Sequence, residues 1–318
     1  MRLIHFLLCM VFLQSACNVM AAPFKVIFIP KGATHIFWKE IARGAEDTAK
    51  NLNIEMVWRG PSLEDGVDAQ ARIIDFYIQQ KYSGIILAPN SPEKLDKTIQ
   101  EAIRKGIKVV VVDSPLTAQN KLPYVGTNNK EAGALAAAQA AKDFPQVKKI
   151  LLLRYSPQHS STSQREQGFL EHIRKLLPQA EIIDNQYTGI TVQNAESSLH
   201  TILARIPDIE LIFTPNESST EGAVRALKAK NLSGKIRHYG FDFNHKINEA
   251  IKDGSLNGVV IQDPYLMGKK AMHTLFELLE NKQIPALLET PALLITHKNM
   301  NNPEVRSKTD PFLKLYAR

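Results

Sequence analysis

Cysteine is almost absent from this chain. Only two of the 318 residues are cysteines, Cys9 and Cys17, and both lie near the N-terminus. The remainder therefore has no disulfide bridge, no cysteine nucleophile and no thiolate metal site. Its stability must come from hydrophobic cores, and a chain of this length is long enough to bury them.

Long hydrophobic runs are also missing, apart from one at the N-terminus. The stretch MRLIHFLLCMVFLQSACNVMAA places one basic residue, Arg2, before an apolar segment and then small residues. This order is typical of a secretory signal peptide, and we expect residues 1–21 to be removed by cleavage after Ala21. Lipid anchoring at Cys17 is the alternative, although Gln14 stands where bacterial lipoprotein signals prefer leucine. Export without cysteines suits a bacterial periplasm.

The charges show no block of one sign. The formal net charge is +7, yet acidic and basic residues are interspersed, as in EKLDKTIQEAIRKGIK. Nucleic-acid-binding domains typically carry a basic stripe and a reading motif, and the sequence has neither. We therefore expect a mixed-charge solvated surface and no nucleic-acid partner.

Catalytic and metal-binding motifs are missing as well. The sequence contains no G-x-S-x-G, H-E-x-x-H, G-x-x-x-x-G-K or EF-hand stretch. SPEK, residues 91–94, matches S-x-x-K without its companion motifs, and Pro92 after Ser91 favours an ordinary helix start. We expect no enzyme activity, no metal and no cofactor, and an enzyme is the least supported of the functions considered.

What is present is a regular alternation of short apolar strands and amphipathic helices. Continuous Val, Ile and Leu runs indicate strands buried on both faces, as in parallel sheets. The predicted strands are 24–30, 54–60, 84–90, 107–113, 123–129, 148–155, 180–188, 209–216, 235–242, 257–263 and 292–298. The predicted helices are 36–52, 65–81, 92–105, 130–142, 161–177, 192–206, 217–230, 244–253 and 265–282.

This alternation occurs twice along the chain. It predicts an α/β protein with two similar doubly wound parallel-sheet lobes joined by a multi-strand hinge. We expect an N-terminal lobe of residues 22–126 plus 263–291 and a C-terminal lobe of residues 127–262 plus 292–318. In this scheme the helix at 265–282 crosses back to the first lobe.

Polar residues end several of the predicted strands. They are Asp113, Asn216, Asp242 and Gln262. Ligands of open α/β sheets bind beyond the carboxyl ends of the strands, where such side chains can bond a hydroxyl group. Each residue alone could instead cap the following helix, but four such ends across both lobes favour a shared site.

Two adjacent aromatic residues, Phe37 and Trp38, stand at the start of the first predicted helix. Neighbouring helical residues point about 100° apart, so both rings cannot lie at the centre of one buried stripe. We therefore expect one of the two rings to have a role other than packing in the core beneath the helix.

Several segments taken together identify a family resemblance. They are HIFWKEIARGAEDTAK, DAQARIIDFYIQQKYSGIILAPN, GIKVVVVDSP, YVGTNNKEAG, SSTSQREQGF, LIFTPNESSTEGAVRALK, HYGFDFN and GVVIQDPYLMGKKA. In order and spacing they resemble the type I periplasmic binding proteins, specifically the ribose/galactose-like sugar-binding group. The resemblance covers nearly the whole chain after the leader.

The resemblance implies a ligand site between the lobes. The family's paired aromatics, which sandwich a sugar ring, fall on Phe37 and Trp38. Sugars suit aromatic faces because one side of the ring is apolar C–H, while the hydroxyl rim needs hydrogen bonds. The family's hydrogen-bonding residues fall on Asp113, Arg165, Asn216, Asp242 and Gln262.

Three positions depart from the ribose-binding pattern. Ser114 replaces an arginine, His35 replaces an asparagine, and the second-lobe aromatic falls loosely on Ile190 or Tyr187. The departures argue against ribose itself and leave open another sugar, a polyol such as an inositol, or a signalling furanose. Lys31 is an extra donor at the cleft mouth or a solvated lysine, and His159 either touches the ligand or lies in solvent.

The resemblance implies capture of a sugar or polyol by hinge closure and delivery to the permease of an ABC importer. The alternative is a sensing module that reports to the periplasmic domain of a membrane sensor kinase. Sugar-responsive repressors share the fold but begin with a helix-turn-helix, whose place is taken here by the export signal. We expect a monomer.

Overall fold

The computed structural model describes residues 24–116 and 122–315. The expected signal peptide and both cysteines lie outside this part of the chain. Among the helices of the described residues, none is long and apolar enough to cross a membrane.

Six parallel strands form the first sheet. They are β1 (Lys25–Ile29), β2 (Glu55–Trp58), β3 (Gly84–Leu87), β4 (Lys108–Val112), β5 (Tyr124–Thr127) and β11 (Leu287–Thr290), in the spatial order β11-β5-β4-β3-β1-β2. Strands β1, β3 and β4 are buried along almost their whole length. Burial on both faces explains why they are continuous apolar runs in the sequence.

The second sheet repeats this order. It contains β6 (Lys149–Arg154), β7 (Glu181–Tyr187), β8 (Leu211–Phe213), β9 (Arg237–Phe241), β10 (Gly258–Ile261) and β12 (Leu293–Thr296), arranged as β12-β10-β9-β8-β6-β7. Only β12 runs antiparallel to its neighbour. In each sheet the second strand along the chain lies outside the first, which is a doubly wound order. The predicted fold class is confirmed.

Ten helices of the described residues cover both faces of the two sheets. They are α1 (Ile36–Asn51), α2 (Val67–Gln79), α3 (Asp96–Arg104), α4 (Asn129–Asp143), α5 (Ser160–Leu176), α6 (Val192–Arg205), α7 (Glu217–Ala229), α8 (His245–Lys252), α9 (Pro264–Leu279) and α10 (Pro303–Leu315). Separate hydrophobic clusters fill the two faces of each sheet.

Helix α9 returns to the first lobe and packs along α1. The two helices approach closely through Gly44 and Gly268, where a methyl group would overlap a backbone carbonyl of the other helix. Helices α4 and α5 of the second lobe meet in the same way through Gly133 and Gly168. Each lobe thus has a helix pair that packs through one glycine from each helix.

Two elements were not predicted from the sequence. Strand β11 has a partly exposed pattern at the edge of its sheet, and α10 contains Pro311. An exposed edge strand lacks an apolar run, and an internal proline argues against a helix. The predicted lobe boundaries remain our proposal, and the sheet to which each strand belongs supports them.

Candidate ligand-binding site

A cavity lies at the carboxyl ends of the strands of both sheets. Its wall is built by the segments after β1, β2 and β4 on one side and by those after β6, β8, β9 and β10 on the other. The lining residues are Lys31, His35, Phe37, Trp38, Glu64, Asp113, His159, Ser161, Thr162, Arg165, Asn216, Glu217, Asp242 and Gln262. Its volume is about 30 Å³, and hydrogen bonds between the lobes cross it, so a ligand of the size of a sugar enters only when the wall moves apart.

The structure brings eight of the ten predicted site residues to this wall. They are His35, Phe37, Trp38, Asp113, Arg165, Asn216, Asp242 and Gln262. Ser114 and Ile190 are not among the lining residues. Ser114 Oγ accepts a hydrogen bond from Lys31 Nζ, and the Ile190 carbonyl lies 3.5 Å from the Tyr155 hydroxyl.

Phe37 and Trp38 are both buried, with a T-shaped contact between ring centroids 4.9 Å apart. They open α1, so the helix backbone fixes where the rings stand. The indole Nε1 of Trp38 donates a hydrogen bond of 2.8 Å to Glu64 Oε1. This bond fixes the plane of the larger ring at the cavity wall.

Glu64 is a buried acceptor that sequence reasoning missed. Besides Trp38, its carboxylate contacts His35 Nδ1 at 3.1 Å and accepts a 3.0 Å hydrogen bond from the Tyr155 hydroxyl of the second lobe. The residue comes from an irregular loop, where no periodicity marks a buried side chain.

Lys31 is buried, not solvated. Its ammonium lies 2.6 Å from Asp113 Oδ2 and donates to Ser161 Oγ of the second lobe at 3.1 Å. The alternative of a solvated lysine is therefore wrong. His159 is also buried, and its Nε2 lies 3.1 Å from the backbone carbonyl of Glu64.

Asp113 and Asp242 occupy equivalent places in the two lobes. Each follows a central strand, and each has a positive φ, 66° and 65° respectively. Left-handed backbone is uncommon outside glycine and often occurs at functional sites, held by the surrounding structure. Here the Asp113 N–H donates to Val125 and the Asp242 N–H to Val260, which ties both turns to the neighbouring strand.

The guanidinium group of Arg165 is held in place by residues on the second-lobe side of the cavity. Its Nε donates to Asn129 Oδ1 at 2.8 Å, its Nη1 donates to the Pro215 carbonyl at 3.0 Å, and its guanidinium stacks on Phe241. Nη1 also lies 3.4 Å from Asp242 Oδ2. The remaining nitrogen, Nη2, is buried without a partner among the described residues. A ligand oxygen would satisfy it.

Asn216 and Gln262 have structural partners as well as a place on the wall. Asn216 caps α7 in a capping box with Ser219. Gln262 donates to Asp242 Oδ1 at 2.7 Å and accepts from Thr127 Oγ1 at 2.9 Å. Asn216 therefore both caps α7 and lines the cavity.

Comparison with known proteins places the chain in a family. A family model described as "Periplasmic binding protein domain" matches residues 26–283. The chain is a periplasmic binding protein.

Curated and solved relatives of this periplasmic binding protein agree with the match. The ribose import binding protein of Bacillus subtilis is 27% identical over 270 residues, 82% of this chain and 84% of the relative. A solute-binding protein from Agrobacterium vitis, solved with bound D-fucose, is 28% identical with a TM-score of 0.86, covering 89% of this chain and 99% of that one. The periplasmic component of a sugar transport system from Hahella chejuensis is 32% identical with a TM-score of 0.82, covering 85% and 99%.

The ionisation of the binding protein's buried groups follows from their partners. Burial lowers the pKa of His35, but the hydrogen bond and charge of Glu64 outweigh this effect and raise it to about 9. Burial raises the pKa of Glu64, but His35 and Lys31 hold it well below its usual range. Burial raises the pKa of Glu217 to about 7 and lowers that of His159. The cavity thus contains fixed charges together with a carboxyl group, that of Glu217, whose pKa lies near neutrality.

Proposed function

We propose that this protein captures a sugar or related polyol between its lobes by hinge closure and delivers it to the permease of an ABC importer. One observation carries the proposal. An aromatic pair from the first lobe and a set of charged and amide side chains from the second face a single cavity. This combination suits a small molecule with an apolar ring face and a hydroxyl rim. The relatives named above are a ribose import binding protein, a solute-binding protein with bound D-fucose and the periplasmic component of a sugar transport system.

The ligand-binding set that we propose is His35, Phe37, Trp38, Asp113, Arg165, Asn216, Asp242 and Gln262, extended by Glu64 and Glu217. Trp38 supplies the stacking surface, and the hydrogen bond from its indole to Glu64 holds the ring in place for this role. Arg165 supplies a donor, Nη2, that no described protein atom occupies. Asp113 and Asp242 supply acceptors for ligand hydroxyl groups.

The proposal of hinge closure rests on the division of the cavity wall between the two lobes. Residues of both lobes contribute to it, so a ligand gains its full set of contacts only when the lobes are together. The small volume of the cavity requires the lobes to separate before a sugar can enter. Delivery would require the same opening, at the permease. We further propose that residues 1–21 direct the chain to the periplasm and are removed by cleavage after Ala21.

Trp38 provides a direct test. The chain has two tryptophans, Trp38 and Trp58, and Trp58 does not line the cavity. In a Trp58→Phe protein lacking residues 1–21, all indole fluorescence comes from Trp38. We expect a saturable change in that fluorescence and a rise in melting temperature with at least one member of a panel of aldoses, ketoses and inositols.

Trp38→Ala should weaken binding of the sugar so identified by at least about ten-fold, because stacking area and the indole anchor are both lost. Trp58→Phe alone should leave the affinity within about two-fold of the unmodified protein. Equal affinity in the Trp38→Ala protein would refute the site, and stabilisation by no sugar or polyol would refute the proposed ligand class.

A further inference from the structure

Three of the four carboxylates on the cavity wall face a cation. Asp113 pairs with Lys31 at 2.6 Å, Glu64 with His35 at 3.1 Å, and Asp242 with Arg165 at 3.4 Å. These pairs use the three cationic side chains of the wall, since burial lowers the pKa of His159 and favours its neutral form.

Glu217 is the fourth carboxylate, and it has no cationic partner among the described residues. It opens α7, and only 7% of the residue is exposed. Its Oε1 accepts a 3.2 Å hydrogen bond from Asn244 Nδ2, while Oε2 is buried without any partner in the described part of the chain. A buried carboxylate oxygen without a donor is destabilising, so the site is incomplete at this point.

The residues around Glu217 supply neither a hydrogen-bond donor to Oε2 nor a cationic partner. Asp242 accepts a hydrogen bond from the Glu217 backbone N–H at 3.3 Å and adds negative charge. Glu221, one turn along α7, shares Asn244 with Glu217 and pairs with Arg225. His35 contributes positive charge across the cavity but is hydrogen-bonded to Glu64.

We propose that the ligand is an amino-deoxy sugar whose ammonium group pairs with Glu217 Oε2 and whose hydroxyl groups meet Arg165 Nη2 and the aspartates. This inference rests on the proposed function, since it assigns a ligand class to the same cavity. The ammonium group forms the fourth ion pair of the wall and supplies the donor that Oε2 lacks. A neutral sugar could donate a hydroxyl group to Oε2, but it would leave four carboxylates against three cations.

Matched sugars test the proposal. Affinities are measured by calorimetry at pH 7 for D-glucose against its derivatives with an amine in place of the hydroxyl at C2, C3 or C6, and for D-galactose against D-galactosamine. The unmodified protein should bind at least one amine about ten-fold more tightly than its hydroxyl counterpart, as expected for a charge-assisted hydrogen bond in a buried site.

Two isosteric variants locate the effect. Glu217→Gln should abolish the preference for the amine, so that the amine and its hydroxyl counterpart bind with similar affinity. Glu221→Gln makes the same change one turn further along α7, at a residue that shares Asn244 but does not line the cavity, and should retain the preference.

The outcomes separate the two proposals. Binding of neutral sugars with no gain from the amine in any pair, or a preference that survives in Glu217→Gln, overturns the ligand class and leaves the sugar-binding function standing. Failure of every sugar in these pairs, and of every member of the panel of aldoses, ketoses and inositols, to bind refutes the proposed function, and the ligand class with it.

Discussion

At the scale of single residues, the cavity wall is governed by buried ion pairs. His35 and Glu64 are in contact at 3.1 Å, and the same carboxylate orients Trp38. The desolvation cost of two buried charges is large, and their mutual attraction and added hydrogen bonds must offset it. The pair therefore depends on both partners remaining charged, which makes stability depend on pH.

Stability should fall as the pH rises from 6.5 to about 9. The pKa of His35 is raised from 6.5 to about 9 in the folded protein, so the contribution of its charged form is complete below 6.5 and disappears as pH rises through 9. Integrated over this window, the free energy of unfolding should fall by up to about 3 kcal/mol. Urea denaturation at half-unit pH steps measures it.

The matched variant for this prediction is His35→Gln, which should lower stability at pH 6.5 and flatten the decline above that pH. The raised pKa of Glu217, about 7, also makes stability fall with rising pH, but in the lower window from 4.5 to 7. An unchanged slope above pH 7 in His35→Gln would contradict the assignment to His35.

At the scale of elements, both lobes contain a pair of helices that pack closely through glycine residues. In each lobe two helices cross where glycines let the backbones touch: α1 with α9, and α4 with α5. The first pair joins segments that are distant in the sequence, so it fixes the chain's return to the first lobe. It also supports the start of α1, which carries both aromatic residues of the wall.

Gly268→Ala should destabilise the protein by about 2 kcal/mol or more, because the added methyl group would overlap the Ile41 carbonyl and force the helices apart. Chemical denaturation measures the loss. Lys269→Ala is the control: it changes an exposed neighbour on the same helix and should alter stability by no more than about 0.5 kcal/mol. A Gly268→Ala protein as stable as the control would show that the close approach is relieved without cost.

The extent to which sequence predicted these elements depended on burial. The central strand β4, with four of five residues buried, gave a continuous apolar run and was correctly predicted to within one residue at each end. Edge strand β11 has alternating exposure and helix α10 contains a proline, so neither had a local signal. Their partners lie far away in the sequence, and local pattern cannot identify such partners.

At the scale of the whole molecule, direct contacts join the lobes across the cavity. Tyr155 donates its hydroxyl to Glu64 at 3.0 Å, and Lys31 donates to Ser161 at 3.1 Å. At the hinge side, Thr127 donates to Gln262 at 2.9 Å. The contacts of Tyr155 and Lys31 favour the closed arrangement, and the ligand's own contacts add to them.

Tyr155→Phe should shift the equilibrium toward open lobes. Losing this hydrogen bond to a buried carboxylate should cost the closed state about 1.5–3 kcal/mol, or roughly ten-fold or more in the closed-to-open ratio. Single-molecule energy transfer between dyes on Lys97→Cys and Gln193→Cys, exposed residues of opposite lobes, measures the ratio. Selective labelling is possible because both native cysteines lie in the expected leader.

The control for this experiment is Tyr124→Phe. It removes the hydroxyl of a half-buried tyrosine, whose hydrogen bond to the Asp113 carbonyl stays within one lobe. It should leave the energy-transfer distribution unchanged. Identical distributions for Tyr155→Phe and the unmodified protein would show that the cross-lobe bond does not favour closure.

The sequence by itself determined the architecture: alternating buried strands and amphipathic helices, repeated twice, specify two doubly wound sheets. It also identified six residues of the cavity wall, because strand ends and an aromatic pair are local features, and the family resemblance added His35 and Arg165. Only the tertiary structure decided that Lys31 is buried, that Glu64 joins Trp38 to the second lobe, and that Glu217 stands without a cation. Burial and charge pairing between loops arise from distant segments brought together, and no local pattern records them.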